Sequence, residues 1–235
     1  MNGEPNRTAI VTGASGGIGR AIADELRRSG FLVFGMDVEV PDHVDWQHVH
    51  ADVSDEASVH AAIEEIVSTV ASIDVLVNNA GVLIMGFLSD MPVEHFDRQL
   101  AVNVRGPFLV AQKVVPYMPA GARIINLASE LAYLGRAEHS AYCASKGAII
   151  SMTRSWAREL APRILVNAVA PGPVDTPLLQ FDQLTDEQKE LELQNLLGRI
   201  GRPEEVAHVV SFLAGERSSF ITGQCISVDA GAAMH

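Results

Sequence analysis

Thr12-Gly13-Ala14-Ser15-Gly16-Gly17-Ile18-Gly19 lies between a short apolar run, Thr8 to Val11, and a segment of helical period that opens near Ile18. A glycine-rich turn joining a strand to a helix lets backbone N–H groups approach a pyrophosphate closely, and the positive end of the helix dipole favours the same anion. The spacing is Gly-x-x-x-Gly-x-Gly rather than the commoner Gly-x-Gly-x-x-Gly. Glycines also make plain strand-to-helix turns, so the loop alone leaves both readings open.

Outward from this turn, short aliphatic runs alternate with longer segments of helical period. Thr8 to Val11, Phe31 to Met36, Val75 to Val77, Arg123 to Leu127 and Leu165 to Val169 read as strands. Ile18 to Ser29, Ser54 to Val70, Val93 to Met118 and Tyr142 to Leu160 read as helices, with apolar residues at three- and four-residue spacing. Strands alternating with helices imply parallel pairing through right-handed crossovers, hence an α/β doubly wound parallel sheet of Rossmann-like type. The strands are mostly apolar, as strands covered on both faces are. No linker or repeat interrupts the alternation, so residues 1–235 are expected to form a single dinucleotide-binding and catalytic domain. The longest break runs from Pro171 to Pro177 and through the polar stretch Gln180 to Asn195; a substrate lid is expected around residues 173–198.

The chain of 235 residues is 48% hydrophobic, 20% charged and 6% aromatic, a globular composition. A formal net charge of −12 argues against a nucleic-acid or anionic-membrane binder, which needs clustered Lys and Arg. No apolar run reaches the roughly 18 residues of a bilayer span, and Met1 to Arg7 lacks the apolar core of a signal peptide, so a cytoplasmic location is expected. Cys143 and Cys225 are then expected to be reduced and buried, with no chemical role.

Asp37 follows the second strand at the spacing of roughly 20 residues where an acidic group meets the adenosine ribose. A carboxylate there accepts hydrogen bonds from both ribose hydroxyls and repels a 2′-phosphate, which points to NAD(H) over NADP(H). The residue after Ser15 is Gly16, not a basic side chain that would welcome that phosphate. Asp37 as a solvated loop residue is the blander alternative. His43, His48 and His50 make no convincing ligand set and read as surface or satisfied polar residues; no metal is expected.

Tyr142 and Lys146 stand four residues apart on one face of a helical stretch, which puts a cation beside a phenol. An ammonium favours the phenolate and moves a phenol with an ordinary pKa near 10 toward the working range of an acid/base group. The pair by itself also occurs by chance on helix surfaces. Ser129 follows the strand Arg123 to Leu127, at the carboxyl edge where open α/β sheets bind ligands; its hydroxyl either polarises a carbonyl or caps a turn.

Thr12 to Gly19, Asn78-Asn79-Ala80-Gly81, Asn103, Ser129, Tyr142-x-x-x-Lys146 and Pro171-Gly172, taken together in this order and spacing, resemble the short-chain dehydrogenases/reductases over about Arg7 to Gly231. The resemblance implies that Tyr142 gives or takes the alcohol proton, Lys146 lowers its pKa and holds the nicotinamide ribose, Ser129 bonds the substrate oxygen, and Asn103 completes a proton relay. It further implies that Gly13, Ser15, Gly16, Gly17, Ile18 and Gly19 cradle the dinucleotide. Asp52 and Val53 would flank the adenine, Asn79, Ala80 and Gly81 the ribose side, and Val174 and Thr176 the carboxamide. Without the resemblance, Asn103 is a polar helix residue, Asn78 a bond between adjacent strands, and Asp52 a cap for the helix after Ser54.

Within that family the length and the ending Thr222-Gly223-Gln224 to Gly231 resemble the 3-oxoacyl-(acyl carrier protein) reductases. Two features depart from them: Asp37 suits NAD(H) where those reductases generally use NADPH, and Gly81 is followed by Val82-Leu83-Ile84-Met85 instead of Thr-Arg-Asp. An alcohol, polyol or hydroxy-acid dehydrogenase is the other reading. Val82 to Leu88, Leu131 to Leu134 and Leu178 to Phe181 suggest an apolar pocket, or else lid packing. A non-catalytic dinucleotide-sensing regulatory protein and a structural protein without cofactor are the alternatives from other classes, and filled catalytic positions argue against the first. The family also implies a homotetramer or homodimer through the helices around Phe96 to Met118 and Tyr142 to Leu160, with a small molecule as substrate.

Overall fold

The computed structural model describes residues 7–235. Its strands are β1 (Thr8–Thr12), β2 (Leu32–Asp37), β3 (Gln47–His50), β4 (Val75–Asn78), β5 (Ala122–Leu127), β6 (Ile164–Pro171) and β7 (Cys225–Val228). They form one seven-stranded sheet, parallel at every pairing, in the order β3-β2-β1-β4-β5-β6-β7. This is the doubly wound, Rossmann-like single domain expected from the sequence. The order reverses between β1 and β4, so the crossovers leave those two strands in opposite directions and open a crevice at their carboxyl ends.

Helices cover both faces: α1 (Gly17–Arg28), α2 (Glu56–Val67), α3 (Val93–Leu100), α4 (Gly106–Val114), α5 (Leu131–Leu134), α6 (Ser140–Leu160), α7 (Asp186–Glu192) and α8 (Pro203–Ala214). Alternate residues of each strand point to opposite layers. Ile10, Leu76 and Ile124 pack with Val59, Ile63 and Ile66 of α2 and Val110 and Val114 of α4. Ala9, Val11, Val75 and Val77 pack with Ile22 and Leu26 of α1 and Val206 and Val210 of α8 on the other side. Among the described residues no helix is long and apolar enough to cross a membrane. Cys143 and Cys225 are unpaired, and both are half-buried rather than buried.

The five expected strands are present; β3 and β7 are additional. Both are sheet edges of four residues. In Gln47-His48-Val49-His50 only Val49 is fully buried, so the run carries almost no hydrophobic signal. β7 is half-buried along its length. His48 and His50 therefore belong to an edge strand, and the Nε2 of His48 is buried without a partner, unlike the satisfied histidine expected there. No group of three or more His, Cys, Asp or Glu positioned to hold a metal occurs among the described residues.

The expected continuous helix from Val93 to Met118 is interrupted. After α3, residues Ala101–Arg105 form a π-helical turn in which the Gly106 N–H donates to the Ala101 carbonyl, five residues back. The sequence holds a cause: Pro107 has no N–H to donate to the Asn103 carbonyl four residues earlier, where a regular helix requires it. The helix expected from Ser54 starts at Glu56, and its cap is Asp55, whose carboxylate accepts from the Ala57 N–H. Asp52 instead closes a local turn on the Ser54 N–H and hydroxyl.

A buried polar chain ties the β4 side of the switch point together. Asn78 Nδ2 donates to Asn126 Oδ1 at 2.8 Å, and Asn126 Nδ2 donates to Thr153 Oγ1 at 2.9 Å, linking β4, β5 and α6. Asn78 thus bonds adjacent strands. Asn126→Leu would leave the Asn78 amide and the Thr153 hydroxyl buried without these partners, and we expect a loss of roughly 2–4 kcal/mol in urea unfolding. A change below roughly 0.5 kcal/mol would show that the chain contributes little.

Candidate active site

The crevice at the switch point is a cavity of about 590 Å³, within the roughly 300–1,000 Å³ range of ligand sites. One end is built by the turn between β1 and α1. Gly13 has φ +65° and Gly17 φ +53°, left-handed conformations that suit glycine. A Cβ on Gly19 would stand 1.9 Å from the Gly13 carbonyl oxygen, so only glycine permits the helix to start this close to the turn. Gly16 caps α1 with no side chain, and the first helical turn holds no acidic residue. Uncapped N–H groups facing a cavity fit a pyrophosphate.

Asp37 sits at the end of β2 with Oδ2 accepting from the Ser15 N–H at 2.9 Å and Oδ1 from the Glu39 N–H at 3.1 Å. These bonds fix the carboxylate at the rim, and Glu39 lines the cavity beside it. Asp52 and Val53 line the same end, with Arg98 3.8 Å from Asp52. A phosphate cradle and a carboxylate thus line one end of the same cavity, and the residues present fit a dinucleotide.

Asn79, Ala80 and Gly81 line the cavity after β4. The side chain of Asn79 faces back into the protein, donating to the carbonyls of Thr12 and Gly13, each at 3.0 Å. Thr12 completes the clamp, its hydroxyl accepting from the N–H groups of Asn79 and Ala80.

At the other end, Ser129, Tyr142, Lys146, Val174 and Thr176 line the cavity together. Tyr142 is 9% exposed and Lys146 5%. Lys146 Nζ donates to the Leu127 carbonyl at 2.8 Å and lies 5.6 Å from the centre of the Tyr142 ring. Burial pushes the Tyr142 phenol up to about 12, against the Ser129 hydroxyl beside it, which draws it down. Burial lowers Lys146 to about 8. Desolvation is the largest influence on both groups, raising the phenol and lowering the ammonium, whose Nζ is bonded to the Leu127 carbonyl. The Ser129 hydroxyl also accepts from the Leu131 N–H at 3.2 Å, so turn capping and a place beside Tyr142 coexist.

Ser15 and Asn103 do not line the cavity. The Ser15 hydroxyl donates to the Glu39 carbonyl. Asn103, in the π turn, accepts from the Val82 N–H and donates to the Val82 carbonyl and to Ser145 Oγ, at 2.8, 2.9 and 3.0 Å. Its Oδ1 and Lys146 Nζ converge on Gly81, at 3.4 and 3.6 Å from where a Cβ would be.

The segment 173–198 contains α7 and lines the cavity through Leu178, Leu184, Gln188, Leu191 and Glu192. Thr185 starts α7 with a capping box on Gln188, a Thr-x-x-Gln signature present in the sequence. A largely buried ion pair between Arg136 and Glu192 fastens this segment to the loop after α5.

Glu130, 4% exposed, was not singled out by the sequence. Burial raises its carboxyl to about 7, against Arg136, which lowers it, with Asp229 and Glu192 raising it further. Position after Ser129 was the only sequence signal available. A carboxyl raised in the fold contributes stability that is present below its unfolded value of 4.5 and is lost as pH rises through about 7. Glu130→Gln is therefore expected to be near wild-type stability at pH 4.5 and more stable by roughly 2 kcal/mol at pH 8, the shift being discounted for screening through the cavity mouth. Urea unfolding at both pH values checks this; a difference independent of pH refutes it.

The fold and this cavity define a dinucleotide-binding oxidoreductase. The chain belongs to the short-chain dehydrogenase/reductase family, whose members move a hydride between a nicotinamide dinucleotide and a carbonyl or alcohol. A family model described as enoyl-(acyl carrier protein) reductase matches residues 13–233. The chain is similar to the 3-oxoacyl-[acyl-carrier-protein] reductase FabG of Thermotoga maritima, 38% identical over 242 residues, covering 96% of this chain and 97% of that protein. Among solved structures it is similar to a blue fluorescent protein from a metagenomic library in complex with NADPH, at TM-score 0.90 and 35% identity, covering 97% of this chain and 98% of that one. It is also similar to a 3-ketoacyl-(acyl-carrier-protein) reductase of Brucella melitensis complexed with NADH, at TM-score 0.87 and 32% identity, with the same coverage.

Proposed function

We propose that this chain is an NAD(H)-linked dehydrogenase/reductase of secondary alcohols and ketones in which Tyr142 is the acid/base. The observation that carries the reading is the meeting of Ser129, Tyr142 and Lys146 in one cavity with the glycine turn and Asp37. Bound there, a nicotinamide dinucleotide supplies the hydride acceptor or donor. Ser129 and Tyr142 hold the substrate oxygen from two sides. In reduction the buried phenol, protonated at neutral pH, gives its proton to that oxygen; in oxidation it takes the alcohol proton, which requires the phenolate. An ammonium has three donors, and the Leu127 carbonyl takes one, so Lys146 keeps N–H groups for the nicotinamide ribose and for stabilising a phenolate. Asn103 orients the chain around Gly81 and Ser145, and its Oδ1 stands with Lys146 Nζ about Gly81, where it would complete the proton relay.

Gly13, Gly16, Gly17, Ile18 and Gly19 hold the pyrophosphate, with Ser15 shaping the turn from behind. Asp52 and Val53 flank the adenine, Asn79 to Gly81 the ribose side, and Val174 and Thr176 the carboxamide. Residues 173–198 act as the substrate lid. Asp37, with Glu39 beside it, favours NAD(H), since a 2′-phosphate at the rim would face two carboxylates. The chain works in the cytoplasm as a homotetramer or homodimer, a reading supported by the exposed Phe96, Phe108 and Tyr117 on the α3–α4 segment.

A 3-oxoacyl-(acyl carrier protein) reductase using NADPH is the second reading, favoured by the relatives' names. A screen of alcohols, ketones and a 3-oxoacyl thioester with NAD(H) and NADP(H) separates the two. Cofactor binding with no turnover of any compound would favour a dinucleotide sensor instead.

Tyr142→Phe removes the proton donor and little else. We expect kcat to fall by roughly 10²–10⁴ while NADH binding stays within about twofold, measured by NADH fluorescence. Unchanged turnover would refute the role. Asp37→Ala should lower the NAD-over-NADP ratio of kcat/KM by about tenfold, the scale of one like-charge contact; an unaltered ratio would show that Asp37 does not read the ribose.

A further inference from the structure

Glu130 is a fully buried carboxyl of the cavity that the hydride-transfer reading leaves without a task. Its backbone is fixed, the N–H donating to the Pro171 carbonyl at 3.0 Å and the carbonyl accepting from Tyr133 and Leu134. Its side chain lines the cavity, yet Oε2 is buried with no hydrogen-bond partner. Room for it comes from Gly172, where a Cβ would stand 2.9 Å from Oε2. The nearby cation that could pair with it, Arg136, is already joined to Glu192. A buried carboxyl lacking a donor is costly, so the fold keeps in this place a group that a ligand completes.

Position fixes what that ligand presents. Ser129 and Tyr142 take the reacting oxygen, and Glu130 adjoins Ser129 in the chain and lines the same cavity. On this reading a substrate group meeting Glu130 lies next to the reacting carbon. To the ionised carboxyl it must donate a hydrogen bond. A carboxylate there would face Glu130 and Glu192, and an ammonium would add a cation to the cavity that already holds the buried Lys146. A neutral hydroxyl meets neither objection. The apolar walls, among them Val82, Leu131 and Leu184, suit the carbon skeleton that bears it.

We propose that Glu130 is a specificity-determining residue whose carboxyl accepts a hydrogen bond from a hydroxyl on the carbon next to the one oxidised, making the substrate class vicinal diols and their α-hydroxy ketones. The inference rests on the hydride-transfer reading. In the oxidation direction the carbinol carbon loses its hydride to NAD⁺ and its hydroxyl proton to Tyr142, giving the α-hydroxy ketone, NADH and one released proton. The hydroxyl held by Glu130 is unchanged.

The test is a binding measurement that needs no turnover: the complex with NADH is titrated with cis-1,2-cyclohexanediol, cyclohexanol or cis-2-aminocyclohexanol, followed by NADH fluorescence. Wild type should bind the diol about tenfold tighter than the mono-alcohol, the worth of one hydrogen bond to a carboxyl. Glu130→Leu should bring the two to within about twofold, and Glu130→Gln, whose amide oxygen still accepts, should keep most of the preference. Equal binding of diol and mono-alcohol by wild type, a preference that survives Glu130→Leu, or tighter binding of the amino alcohol than of the diol would each overturn the proposal. NADH production from the diol and NAD⁺ is measured separately. Its absence in wild type counts against hydride transfer, whereas the binding ratio reads Glu130 alone.

Discussion

The clamp between Thr12 and Asn79 is the contact on which the site depends. The sheet order reverses between β1 and β4, and at their carboxyl ends the two chains must part to leave a crevice. Thr12 and Asn79 hold them at that separation: one hydroxyl accepts two N–H groups of the β4 exit, while one side-chain amide donates to two carbonyls of the β1 exit. The glycine turn is thereby fixed from below, with Gly13, Gly16 and Gly17 lining the cavity above. Without this cross-brace the turn would have to be held by its own packing, which glycines cannot supply.

The same economy appears at the chemical end. Ser129, Tyr142 and Lys146 are all buried; the Ser129 hydroxyl accepts from the Leu131 N–H and Lys146 Nζ donates to the Leu127 carbonyl at the carboxyl edge of β5. Burial gives them opposite tendencies, the phenol raised and the ammonium lowered, so in this geometry both lean toward their neutral forms. Desolvation is the largest influence on both groups.

The fold was legible because its evidence is local and periodic. Buried strands such as Thr8–Val11 and Arg123–Leu127 are apolar throughout, and α1 and α6 carry helical spacing. The edge strand Gln47–His50 was not legible, since a strand with one neighbour and one buried side chain is defined by its pairing with β2 rather than by composition. The break at Asn103 had a signal in Pro107, and the start of α7 had one in Thr185 and Gln188; both are single-residue cues easily outweighed by the surrounding pattern.

By itself the sequence determined the sheet class, the glycine turn, the acidic residue after β2 and the family motif, because each is encoded in residue type and spacing along the chain. Only the tertiary structure decided which of those residues face the cavity: Ser15 and Asn103 turn into hydrogen bonds behind it, and Asn79 serves as a brace. It also decided the protonation tendencies of Tyr142, Lys146 and Glu130, and the pairing of Arg136 with Glu192. Burial and partnership between residues far apart in the chain are properties of the packed fold, and no spacing rule carries them.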